Sequence, residues 1–300
     1  MFSDDLLLVT AGNGEEVLVV RVPEGTGRSM GRLYAAERLR SSAHVEASCV
    51  PRLIGVVRTE DFALYEGGDS GATTSPWKDD AVHARALGRS IGWLHRETPP
   101  PGLGSNPSVE VERLLRAWPF LGHDELLVRA VVSLTAAGRR NVGVPVHGSL
   151  NTNCVLVSSG GPGMPRVLVT GWEEFHNGDA AQDVGGFVRD CLLRCCPLPV
   201  PGDDVSRSWV TIGGTLDAFD VRRPVVESFW RGYGEIRAEA DHDLALRAVA
   251  FAGWSLFARV LGAGTPGRHL TEAERVAVGI GRALTTTPHD FVALLGLAAP

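Results

Sequence analysis

The chain of 300 residues is 44% hydrophobic and 21% charged, with 36 glycines and 18 prolines; this excludes disordered and collagen-like classes and, at about 150 residues per domain, leaves room for two lobes. A formal net charge of −6 excludes a general nucleic-acid or anionic-membrane binder, which needs a basic face to neutralise phosphates. Lys78 is the single lysine, so chemistry that needs an amine has one candidate.

The acidic start, Met1 to Asp5, lacks the basic region and apolar stretch of a signal peptide. Leu6 to Val9 and Val17 to Val22 flank Gly12-Asn13-Gly14, which predicts a β-hairpin. Residues 30–42 look helical, residues 51–57 and 62–65 form a strand pair, and the small residues from Gly67 to Ser75 suggest a hinge. From Asp79 the period changes: Val82, Ala86, Leu87, Ile91 and Leu94 recur at helical spacing, which predicts an amphipathic helix over 79–97. Helices near 108–118 and 123–138 follow, then two short strands, 153–157 and 166–170, around a Ser-Ser-Gly-Gly-Pro-Gly turn. The rest reads as helix at 183–195, 224–237, 240–261, 272–284 and 288–296, with a Pro/Gly/Asp-rich loop before 224.

A small β-rich lobe over residues 1–68 and a larger helical lobe over 69–300 make an α+β arrangement whose cleft is a natural ligand site. The most apolar helical stretch, Ala248 to Ala258 between Arg247 and Arg259, falls short of the roughly 18 residues that span a bilayer and reads as a buried helix. Five cysteines, odd in number and without paired C-x-x-C knuckles, support neither a disulfide framework nor a zinc site, so a reduced, cytoplasmic protein is expected.

Three segments carry chemistry: His147-Gly148-Ser149-Leu150-Asn151-Thr152-Asn153-Cys154, Gly171-Trp172-Glu173-Glu174-Phe175, and Gly178-Asp179-Ala180-Ala181-Gln182-Asp183. Together with Leu87-Gly88-Arg89-Ser90-Ile91-Gly92-Trp93-Leu94-His95 and Phe229-Trp230-Arg231-Gly232-Tyr233, in this order, they resemble the aminoglycoside phosphotransferase family of the protein-kinase-like fold over residues 15–296. The resemblance implies a bilobal fold in which an Asp after His-Gly handles the acceptor hydroxyl, while an Asn five positions later and the Asp of an Asp-Trp-Glu-like motif hold the phosphate-bridging metal. In this sequence those positions are Ser149, Cys154 and Gly171. A hydroxyl cannot replace a carboxylate near neutrality, a thiol is a poor ligand for hard Mg²⁺, and glycine offers none.

The strand that supplies the family's phosphate-binding lysine carries Arg21, with Glu37 as its expected helical partner. Only one strand fits ahead of it, so the family's first strand and phosphate-covering loop are expected to be missing. Arg21 and Glu37 form either a buried structural pair or part of a nucleotide site. Ser149 reads as what remains after loss of an aspartate, or as a nucleophile or phosphate contact without a Gly-x-Ser-x-Gly elbow. His147 and Asp183 read as loop-bracing residues. Asn151, Asn153, Glu173 and Asp179 are cleft residues, either solvated or capping, or else displaced metal ligands.

Two functions follow from the resemblance. One is a pseudokinase-like subunit without cofactor that binds a peptide, a small metabolite or a partner enzyme in a biosynthetic pathway. The other is an active ATP- or GTP-dependent phosphotransferase using Mg²⁺, acting on a small-molecule or peptide hydroxyl such as Ser or Thr of a modified-peptide precursor.

Overall fold

Alternating apolar residues build the first sheet. β1 (Leu6–Thr10) and β2 (Glu16–Arg21) pair antiparallel as the sequence predicts, with Leu7 opposite Val19 and Val9 opposite Val17. The Gly12-Asn13-Gly14 turn lies outside the residues that this computed structural model describes, which are 6–10, 16–21, 27–42, 49–57, 62–66, 73–105, 116–141, 143–159, 165–196, 212–237, 241, 243–262 and 269–298. β4 (Phe62–Glu66) joins β2 to β3 (Leu53–Val57), giving the order β1-β2-β4-β3. Leu18 lies opposite Tyr65 and Val20 opposite Ala63; all four are buried, so one face of the sheet is core while Leu7 and Val9 are exposed on the other. Between β2 and β3 runs α1 (Gly27–Ser42), which buries Leu33, Ala36 and Leu39.

β5 (Thr73–Pro76) pairs with β7 (Val155–Ser159), which pairs with β8 (Arg166–Val169). This corrects part of the expected hinge: the β-branched Thr73 and Thr74 take ladder positions opposite Ser159 and Ser158, and residues 67–72 lie outside the described residues. A further pair, β6 (Val144–Val146) and β9 (His176–Gly178), flanks the His147 turn in sequence.

α2 (Ala81–Leu94) starts on Asp80, whose carboxylate accepts the His83 N–H at 2.9 Å and satisfies one orphan amide of the helix start. It lies at backbone distance from α6 (Arg223–Ile236). A Cβ at Gly88 would fall 2.0 Å from the Phe229 carbonyl oxygen, and one at Gly232 would fall 2.1 Å from that of Arg85. Gly232→Ala is therefore expected to cost about 1–3 kcal/mol by forcing the helices apart, measured as a lower urea midpoint; an unchanged midpoint would refute the contact.

Residues 1–105, 143–177 and 228–239 form one compact unit, and residues 106–142, 178–227 and 240–300 a second. Both are discontinuous in sequence, whereas composition suggests a single boundary near residue 68, because the pairing of β5 with β7 draws residues 143–177 into the first unit. In the second unit, α7 (Leu244–Gly262) packs against α4 (Ala181–Leu193) and α8 (Glu272–Thr286). Bare backbone makes this packing close: a Cβ at Gly185 would meet the Ala248 oxygen at 2.6 Å, and one at Gly253 the Gly281 oxygen at 2.6 Å. α7 has 19 residues and is apolar enough by length and composition to cross a membrane, longer than the stretch 248–258 suggests. Its most apolar window is 67% buried by the rest of the protein, as in a core helix. Trp254, Phe257 and Leu261 of α7 join Trp118 and, from α3 (Glu125–Arg140), Leu127, Val131 and Leu134 in one apolar cluster.

Other expectations change. The end of the predicted Pro/Gly/Asp-rich loop is α5 (Ile212–Asp220); Gly213 and Gly214 obscure its period, yet Thr215 and Phe219, one turn apart, are buried. Residues 288–296 form a 3₁₀ turn, Pro288–Asp290, followed by turns ending at Gly296, whose φ of +76° a side chain would resist. Of the helix expected near 108–118, residues 116 and 117 are described and helical.

Candidate functional site

In the first unit, the loop after β6 is organised by His147, which is fully buried. Its Nε2 lies 2.8 Å from the Thr170 carbonyl oxygen, so Nε2 carries the proton and Nδ1 accepts, receiving the Ser149 backbone N–H at 3.3 Å. The ring packs edge-on to Trp172, with centroids 4.7 Å apart, and Trp172 donates its indole N–H to the Val169 oxygen at 2.6 Å. These contacts tie His147 to both ends of the turn. Gly148 has a φ of +86°, and a Cβ there would strike the Glu174 oxygen at 2.4 Å, so His-Gly is a steric requirement of this turn.

The Ser149 hydroxyl lies 3.5 Å from His147 Nδ1 and 3.5 Å from the Gly171 oxygen. Nδ1 already accepts the Ser149 amide, so this geometry offers little to a nucleophile that must lose its proton. Asn151 is consumed locally: its side-chain N–H donates to the Ser149 oxygen at 2.8 Å and its Oδ1 accepts the Asn153 N–H at 3.0 Å. Asn153 is exposed. The Cys154 thiol donates to the Asn151 oxygen at 2.8 Å, closing the short 3₁₀ turn Thr152–Cys154.

Gly171 has left-handed backbone, φ 79° and ψ 46°. A Cβ there would meet nothing closer than Glu173 Oε2 at 3.6 Å and Cys154 Cβ at 3.7 Å. The side chains of positions 154 and 171 would therefore converge, yet the groups present, a thiol engaged with a carbonyl and a glycine, do not fit a hard cation such as Mg²⁺. Among the described residues, no three of His, Cys, Asp and Glu gather closely enough to hold a metal ion.

Glu173, in the same segment, is half-buried. Its Oε1 is buried without a hydrogen-bond partner, and burial, reinforced by the charge of Glu174, raises its carboxyl above the ordinary 4.5. A folded-state value above the unfolded one destabilises the protein once pH rises past the unfolded value, because the folded state then holds an unfavourable charge. Glu173→Gln is therefore expected to raise the melting temperature near pH ~7, with the gain shrinking to nothing below pH ~4, in thermal melts at both pH values. Arg32 of α1, which sequence reading passes over, donates to the Glu173 carbonyl at 3.0 Å and pairs with Glu174 at 2.8 Å, tying α1 to this turn.

The structure does not bring Arg21 and Glu37 together. Arg21 is exposed at the end of β2, whereas Glu37 binds Arg40 at 2.7 Å and accepts the Leu53 N–H at 3.0 Å. Burial pushes the Glu37 carboxyl up, but these bonds carry it below its ordinary value. An arginine one helical turn away on the same helix wins because it needs no long-range alignment. In the second unit, Asp179 is 1% exposed, and both its oxygens are held by Arg247, at 2.8 and 2.9 Å, with the Ala181 N–H at 3.0 Å on Oδ1. That leaves it no vacancy for a metal, in contrast to the displaced-ligand reading. Asp183 is fully buried in the first turn of α4.

Neither a scan against family models nor a search of curated proteins found a match. Solved structures did match. The chain is similar to a choline/ethanolamine kinase family protein from Mesorhizobium loti, at 14% identity over 99% of this chain and 94% of that one, with a TM-score of 0.60. It is similar to the choline kinase LicA from Streptococcus pneumoniae, at 11% identity over 96% and 91%, with a TM-score of 0.60. It also resembles aminoglycoside 2′-phosphotransferase-IIIa, solved as a GDP complex, at 13% identity over 96% and 91%, with a TM-score of 0.54. The fold is protein-kinase-like, of the aminoglycoside phosphotransferase and choline kinase kind. The α+β class expected from the sequence is the one observed, and in this phosphotransferase fold His147 to Cys154 and Gly171 to Phe175 lie together in the first unit.

Proposed function

We propose that the protein is a catalytically silent relative of these kinases, a pseudokinase-like subunit that binds a peptide, a small metabolite or a partner enzyme in a biosynthetic pathway of the cytoplasm. One observation carries the reading: at the converging positions 154 and 171 the chain offers a thiol that hydrogen-bonds a carbonyl and no side chain at all. Retaining the fold without this chemistry is easy, since His147, Gly148 and Trp172 brace the loop independently of any metal ligand.

The test is thermal. Neither ATP nor GTP, with Mg²⁺ or Mn²⁺, is expected to shift the melting temperature, whereas a nucleotide at 100 times its Kd would add about 2.7 kcal/mol and overturn the reading. The competing reading, an active phosphotransferase on a small-molecule or peptide hydroxyl, is favoured by the Glu173 carboxylate near Gly171, whose Oε1 is buried without a partner. It requires metal-dependent ATP turnover that Glu173→Gln abolishes.

A further inference from the structure

We propose that the face shared by α2 and the end of α6 is a docking surface for an acidic peptide segment of a partner protein, held by Arg85, Arg89, Arg96 and Arg237. The surface belongs to the first unit but uses no residue of the His147 or Gly171 turns, so the inference goes beyond the silent-kinase reading and does not depend on it. On α2, Arg85, Arg89 and Trp93 follow one another at four-residue spacing, and Arg96 comes three residues later in the turn that ends the helix, so the four side chains form one row. Contacts to the end of α6 fix the guanidinium groups. Arg85 Nε donates to Glu235 Oε1 at 2.7 Å, and Arg89 bonds the other oxygen of the same carboxylate. Arg96 stacks over Trp93, 5.1 Å from the ring centroid, and donates to the Ile236 oxygen at 3.3 Å. Arg237, one residue past α6, donates to the His95 oxygen at 2.7 Å.

Charge selects the partner. Among the described residues, Glu235 is the one carboxylate that these four guanidinium groups contact, so four positive charges meet one negative charge. A carbonyl oxygen orients a guanidinium without neutralising it, so Arg96 and Arg237 stay charged and lose little side-chain freedom on binding. In a chain of net charge −6 this is a local excess of the opposite sign. Glu235 displays the mode of recognition, a carboxylate that accepts N–H groups from two arginines one helical turn apart. From Arg85 to Arg96 the row runs about 16 Å at ~1.5 Å per residue, the length of about five residues of extended peptide. A DNA duplex, with one charge per ~1.7 Å, calls for a far longer basic track. A bilayer surface would take up an aromatic side chain, yet one face of Trp93 is covered by Arg96.

The test uses the full chain and a dye-labelled hexaglutamate peptide, followed by fluorescence anisotropy at low salt. Saturable binding is expected, weakening as NaCl is added, and about tenfold weaker in the double variant Arg96→Gln with Arg237→Gln, which removes two charges and leaves Glu235 both its partners. Glu235→Gln is expected to tighten binding about threefold or more, because it frees Arg85 and Arg89 from their own carboxylate; loss of a merely structural ion pair would give no such gain. Circular dichroism establishes that each variant is folded. Absence of saturable binding at low salt, binding undiminished in the folded double variant, or binding not tightened by Glu235→Gln overturns the proposal. So does displacement of the peptide by oligothymidylate or by phosphatidylserine vesicles more readily than by unlabelled hexaglutamate, which would assign the surface to nucleic acid or to membrane. A nucleotide-induced shift in melting temperature would refute the silent-kinase reading and leave this titration unchanged, so the two failures are distinguishable.

Discussion

Asp179→Ala is expected to lower the unfolding free energy by about 3–5 kcal/mol, measured by urea denaturation. The expectation follows from what the carboxylate leaves behind. Arg247, itself 9% exposed, meets Asp179 through two hydrogen bonds of 2.8 and 2.9 Å and keeps only Asp241 when Asp179 is removed. The buried guanidinium then lacks half its acceptors, and α4 loses the acceptor of the Ala181 N–H at its start. Adding Arg247→Met should recover part of the loss, since an apolar side chain of similar length removes the stranded charge. A wild-type midpoint for Asp179→Ala would show that the pair contributes nothing and would reopen Asp179 as a ligand.

Restoring Ser149→Asp, Cys154→Asn and Gly171→Asp together is expected to tighten Mn²⁺ binding about 100-fold or more, roughly 2.7 kcal/mol, measured by electron paramagnetic resonance of free Mn²⁺. The backbone already suits the change. A Cβ at 171 clears its neighbours and lies 3.7 Å from Cys154 Cβ, and aspartate is among the residues that accept the left-handed conformation found there. Each single substitution should do little, because a hard cation needs several oxygens at once. A folded triple variant with wild-type Mn²⁺ affinity would show that these positions are not where a metal sits, and the silent-kinase reading would lose its main support.

Much of the frame is legible in local chemistry. Alternating apolar residues mark the β1–β2 and β3–β4 ladders, and helical spacing from Val82 to Leu94 marks α2, because burial of one face leaves its period in the sequence. His147-Gly148 and Trp172 carry the family likeness because the turn geometry itself demands those residues: Gly148 has no room for a Cβ, and Trp172 fills the space beside His147. The sequence also determined that position 171 offers no side-chain ligand, since no fold can give Gly171 a side chain. Long-range partnership is another matter. That Arg32 reaches Glu174, that Arg247 occupies Asp179, and that Glu173 Oε1 and the Tyr65 hydroxyl lie buried and unsatisfied depend on which side chains the packed chain brings within hydrogen-bond reach. Such pairings leave no period and no spacing in the chain, because their energy comes from distances that only tertiary structure sets.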